Sequence, residues 1–144
     1  MTRDAIVTAD APVAIGPYSQ GIVQDIAGDA STGAPASRLV FCSGQIGLDP
    51  ASGDLVEGCE AQAEQALRNL GAVLAAAGGS WSDVVKTTVF LADIGDFGPV
   101  NAVYARHMPD PPPARSTFAV GALPKGGLVE IEAIAVLPAT PARR

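Results

Sequence analysis

The sequence predicts an α+β domain, a mixed sheet with two helices packed on one face. Two stretches repeat apolar residues at three and four, the spacing of an amphipathic helix, and the other apolar segments are β-branched or alternating. In chain order they run strand, strand, helix, strand, helix, strand, strand, an arrangement that places both helices on the same side of one sheet. The apolar share is 48% but the aromatic share only 5%, so the core must be built from Val, Ile, Leu and Ala, which implies close approach of helix and sheet. A length of 144 residues suits a single domain spanning 1–144.

Taken in order, Tyr18 to Ile26 reads as the first strand and Leu39 to Ile46 as the second. Between them AGDASTGAPAS, about 27–37, has the Gly, Ser and Pro content of a flexible hairpin loop. From Glu57 to Gly78, Ala63, Ala66, Leu67, Leu70, Val73, Leu74 and Ala77 form one face, with Gln62, Gln65, Arg68 and Asn69 expected opposite and Gly78-Gly79 as the stop. Val84 to Leu91 is a third strand. A shorter helix follows from Asp96 to Met108, with Asp96 as its cap and Phe97, Val100, Tyr104 and Met108 on one face. Pro109 and the prolines after it end it. Ser116 to Val120 and Leu128 to Leu137 complete the set, and a tail of about 139–144 is expected to fray.

The last strand has two characters. Val129, Ile131, Ala133, Ala135 and Leu137 point one way, and Glu130, Glu132, Ile134 and Val136 the other. A half-apolar second face in so short a chain suggests burial against another subunit.

Charge and composition exclude several classes of function. A net charge of −6 and scattered arginines argue against nucleic-acid binding, which needs clustered Lys and Arg. No apolar run approaches the roughly 18 residues of a membrane span and no charged-then-apolar leader opens the chain, so no membrane association and a cytoplasmic location are expected. Cys42, Cys59 and His107 do not have zinc-site spacing.

Among the polar residues, Arg115 in PPPARS stands at the mouth of a strand, with Thr117 on its side of the sheet. Residue types alone leave two roles open for it: a solvated turn arginine paired with an acid, or a bidentate clamp for a carboxylate. Glu130 and Glu132 sit in an otherwise buried strand, either as ion-paired interface residues or with one of them as a proton-transfer group of raised pKa. His107 fits a helix-end role, Lys86 an ion pair and Cys42 a buried inert thiol.

Four segments coincide in AIGPYSQG (14–21), CSGQIGLDP (42–50), PPARS (112–116) and EIEAIAV (130–136), joined by VKTTVFLADIGDFGPVNAVY (85–104). With these the chain resembles the Rid family of reactive intermediate deaminases, also called the YjgF family, and most closely its RidA branch. The resemblance implies a chorismate-mutase-like fold and a homotrimer whose sheets form a central barrel. It implies hydrolysis of small imino and enamino acids, such as 2-aminoacrylate and 2-iminopropionate, to 2-oxo acids and ammonia, without a cofactor. The family's carboxylate-binding arginine falls on Arg115 and its water-handling glutamate on Glu130, and Tyr18 and Ser43 match further pocket residues in clefts between subunits. Thr117 stands where close relatives often carry cysteine, and the 27–37 loop lengthens the first hairpin. The alternatives are a non-catalytic carboxylate-binding or chaperone-like protein, and an RNA-directed nuclease that the acidic chain disfavours.

Overall fold

The computed structural model describes residues 2–139 of the chain. Its strands are β1 (Arg3–Ile6), β2 (Gly21–Ile26), β3 (Ser37–Ile46), β4 (Val84–Leu91), β5 (Ala114–Ala119) and β6 (Val129–Pro138). Its helices are α1 (Cys59–Ala76) and α2 (Phe97–His107). The six strands form one sheet in the order β1-β2-β3-β6-β4-β5. All neighbours are antiparallel except β4 and β5, whose parallel pairing requires the crossover that α2 supplies.

This is the expected mixed α+β sheet with one strand more than the sequence reading gave. RDAI of β1 is short and mostly exposed, so it carries no burial period to find, and it pairs only with β2. β2 begins at Gly21 rather than Tyr18, because the Tyr18 amide donates to Gly16 O at 2.8 Å and holds that segment in a turn. The 27–36 connection carries an Asp29–Ala34 bridge, and Asp29 Oδ1 accepts from Ser31 N and Oγ. Residues 140–144 of the expected frayed tail lie outside the described residues.

The core lies between the helices and one face of the sheet. Leu67, Leu70, Val73 and Leu74 of α1 meet Val40, Val89, Ile131 and Leu137, all essentially without solvent exposure. The predicted close approach is real: a Cβ at Gly47, just past β3, would stand 2.5 Å from Gln62 Cα. The first turn of α1 therefore rides directly on the end of β3. The helix ends at Gly78, whose φ of 85° suits glycine, while Gly78 N and Gly79 N donate to Ala75 O and Leu74 O.

Two expectations about the helices need correction. Gln62 and Asn69 are buried, not solvent-facing. Asn69 Nδ2 donates to Leu48 O at 2.8 Å and Ile46 O at 3.3 Å, and the Leu128 amide donates to Gln62 Oε1 at 2.8 Å. Both side chains satisfy backbone groups at strand ends, which is why a polar group is tolerated there. In α2 the buried residues are Val100, Val103 and Tyr104, and Phe97 is exposed. Asp96 makes no capping hydrogen bond; Asp93 caps the short 3-10 turn before the helix by accepting from Gly95 N.

Candidate active site

Glu130 stands on the face of β6 that the helices do not cover, between buried Val129 and Ile131. Opposite it β3 is bulged. Three steps from Cys42 to Gln45 pair with only two from Ala133 to Ile131, so Ser43 and Gly44 break the ladder. The bulge turns Cys42 into the core and Ser43 into the cavity. Gly44 makes the room: a Cβ there would run into Glu130 Oε1 and stand 3.0 Å from its Cδ. The glycine of CSGQ is thus required so that the glutamate can lie across the strand.

The resulting cavity, about 420 Å³, is lined by Tyr18, Ser43, Glu130 and Glu132, with Val13, Ile15, Ile46 and Leu48 as apolar wall. Burial, reinforced by the neighbouring Glu132 charge, raises the Glu130 pKa above the usual glutamate value. Such a group takes up and returns a proton closer to neutral pH than a solvated glutamate does. Ser43 Oγ donates to Ser19 O at 2.6 Å, which leaves its lone pairs free to accept from a ligand. Tyr18 is half exposed at the rim, and its hydroxyl accepts from Ile15 N at 3.3 Å.

The wall behind Tyr18 is stapled by Gln20, a residue that no apolar spacing marks. Buried Gln20 donates to Pro12 O, Thr8 O and Ala11 O and accepts from Thr8 N, pinning the 8–12 segment that leads to Val13 and Ile15. Gln62 and Asn69 hold the other side of the same region. Their signal was present in the spacing, since Gln62, Ala66, Asn69 and Val73 fall on one helical stripe and an amide in an apolar stripe marks a buried hydrogen bond.

Arg115 lies elsewhere. It pairs in register with buried Thr87, so it points to the helix face, and its guanidinium lies over the rings of Tyr104 and Phe97 of α2. With Asn101, Met108 and the prolines 109, 112 and 113 it lines a second, open groove. Thr117 is on the same face of β5, its hydroxyl covered and unpartnered. β5 and β6 are separated by β4, roughly 10 Å of sheet. Tyr18, Ser43 and Glu130 are therefore together, and Arg115 and Thr117 are on the opposite face of the same chain.

The remaining candidates have structural partners. His107 Nε2 meets Glu64 Oε2 at 2.6 Å, tying α2 to α1, and Arg68 joins the same carboxylate at 3.2 Å. The Glu64 carboxyl is held below its usual pKa chiefly by that histidine. Lys86 Nζ donates to Ser116 Oγ rather than to an acid. Cys42 is buried, and burial pushes its thiol up to about 12, far from a reactive thiolate. Among the described residues no group of three or more His, Cys, Asp or Glu is placed to hold a metal, and no helix is long and apolar enough to cross a membrane.

A mixed sheet, two helices on one face and a bulge-framed carboxylate cavity on the other define a Rid-type α+β domain. The family model described as Endoribonuclease L-PSP matches residues 8–137, and the chain belongs to that family, which is the Rid or YjgF family. It is 52% identical over 137 residues to the 2-iminobutanoate/2-iminopropanoate deaminase of Bos taurus, covering 94% of this chain and 91% of the relative. Among solved structures, RidA from the Antarctic bacterium Psychrobacter sp. PAMC 21119 superimposes with a TM-score of 0.78 at 44% identity, covering 92% of this chain and 98% of that one. TdcF of E. coli, solved with bound serine, gives 0.78 at 40% identity with the same coverage.

Proposed function

We propose that this protein is a hydrolytic deaminase of small 2-imino and 2-enamino acids, releasing 2-oxo acids and ammonia. The observation that carries the reading is Glu130, a partly buried carboxylate of raised pKa that shares a cavity with the Ser43 hydroxyl. The likeness of about half of all positions to a 2-iminobutanoate/2-iminopropanoate deaminase points the same way. In this reading a water held by Glu130 adds to the imine carbon, and Glu130 takes the water's proton. Glu130 then returns that proton to nitrogen to give the carbinolamine. It carries the hydroxyl proton to nitrogen in the same way as the C=O bond forms and the C–N bond breaks, so both water protons end on the departing ammonia. An imine is already electrophilic, so orientation and proton transfer suffice.

The carboxylate of the substrate falls to Arg115, with Thr117 beside it and Tyr18 and Ser43 on the Glu130 side. Because Arg115 and Glu130 occupy opposite faces of one chain, one substrate meets both only where the edge strand of a second copy brings its Arg115 to the Glu130 cavity. The uncovered sheet face favours such an assembly. Phe41, Phe118 and Val136 are exposed there, and Phe90 and Phe118 stack edge to face at 5.4 Å. The assembly proposed is the homotrimer with a central barrel, in the cytoplasm. No nucleic acid is needed, and a net charge of −6 suits none.

A binding-only role is the second reading, since TdcF of E. coli was solved with bound serine. One experiment separates the two. Imines are generated in place by an amino-acid oxidase and trapped with semicarbazide, and the protein is added in substoichiometric amount. Suppressed semicarbazone with matching oxo acid and ammonia is expected; suppression only at equal stoichiometry would establish a carrier and overturn the enzyme.

A further inference from the structure

An arginine on an edge strand has many rotamers, and fixing one costs side-chain entropy. Arg115 is nevertheless held, and not by an acid: no carboxylate of the described residues pairs with it. Its Cζ lies 4.7 Å from the ring centroid of Tyr104 and 5.7 Å from that of Phe97. Tyr104 is locked in turn. The ring is buried, and its hydroxyl shares a 2.6 Å hydrogen bond with Thr87 Oγ1. Thr87 is the β4 residue in register with Arg115, so ladder, hydroxyl pair and ring close a loop around the guanidinium.

We propose that Tyr104 is a positioning residue for the deamination: its ring face holds the Arg115 guanidinium so that the N–H donors stay free for the substrate's carboxylate. The inference rests on the reading of Arg115 as carboxylate holder. A cation within about 6 Å of a ring centroid is attracted by the ring quadrupole and spends no N–H donor on the contact. An acid in that place would occupy the fork and cancel its charge. The ring fixes orientation and leaves both available. Phe97, farther off and exposed, supplements it.

The carboxylate is present in substrate and transition state alike, so weakening the brace removes uniform binding and raises KM while kcat holds. A purely structural ring would not respond to its own electron density. The test compares Tyr104→Phe with chains carrying phenylalanine of increasing ring fluorination at position 104, which keeps the shape and drains the quadrupole. Arg115→Lys is measured beside them, with melting curves for all. Relative to Tyr104→Phe, KM should climb stepwise to about tenfold at full fluorination with kcat held. A flat KM across the series, with Arg115→Lys inactive, would reduce Tyr104 to packing and leave the reading of Arg115 standing. Full activity of Arg115→Lys would overturn that reading and this inference together.

Discussion

The Glu130 cavity and the Arg115 groove lie on opposite faces of the same sheet, and their walls are made differently. Around Glu130 the backbone does the shaping: a bulge diverts Ser43, a glycine clears the carboxylate's path, and the buried amides of Gln20, Gln62 and Asn69 pin the flanking segments. Around Arg115 the shaping is done by side chains, through two aromatic rings and a hydroxyl pair. The difference fits the roles proposed for the two groups. A carboxylate of raised pKa needs removal from water, which a recess in the backbone provides, whereas a carboxylate-binding guanidinium needs exposure with a fixed direction. Neither region offers both functions, and that is the physical argument for a site shared between copies.

The largest expected effect is at Glu130, the proposed proton-transfer group. Glu130→Gln should lower kcat by about 10² to 10⁴, since an amide cannot accept and return the proton. The same change should stabilise the fold at neutral pH. The folded pKa of Glu130 is raised, so ionising it costs stability as pH rises above the unfolded value, about 4.5, and the glutamine variant escapes that cost. Its advantage in melting temperature should vanish below about pH 4.5; an advantage that persists there would mean the ionisation is not its cause.

Mixing subunits sharpens the comparison directly. Glu130→Gln and Arg115→Lys chains, each inactive alone, should recover roughly a quarter of wild-type activity when co-assembled at random, because one ordered neighbour pair in four carries both intact groups. Mixtures as inactive as their parents would return both groups to a single chain and break the opposition of the two faces.

Gly44→Ala is expected to be milder, with turnover down by about tenfold and the fold kept, because the end of the Glu130 side chain can swing away from the added Cβ but then leaves its place. Unchanged turnover would show that the carboxylate works from another position. The smallest effect belongs to the clasp between the helices. Glu64→Gln should cost about 1 kcal/mol or less in chemical denaturation at pH 7, as suits a partly exposed ion pair. The Glu64 pKa is depressed, so this contribution is present above about pH 4.5 and fades as pH falls through the folded value. KM should not move; if it does, the clasp reaches the Arg115 groove through α2.

Some of this architecture is written locally in the chain. Apolar spacing sets α1, α2 and the alternation of β6, since each period reflects one element's own geometry, and Gly78 sets the end of α1 by a backbone conformation that other residues resist. The alternation of EIEAIAV alone puts Glu130 on the face opposite Val129 and Ile131. Spacing did not reveal β1, whose exposed RDAI has no burial pattern, and it misread Gln62 and Asn69, whose partners are backbone groups far away in sequence. Nor did it set the face of Arg115 against that of Glu130, because this depends on β4 pairing with β6 on one side and with β5 on the other. The ring of Tyr104 meets Arg115 only because a parallel pair forces α2 to cross over the sheet. The sequence by itself determined both helices, five of the six strands, the apolar stripe of α1 and the two faces of β6, which arise from residues a few positions apart. Tertiary structure decided the bulge, the recess and the brace, because each is a contact between segments that only the folded sheet brings together.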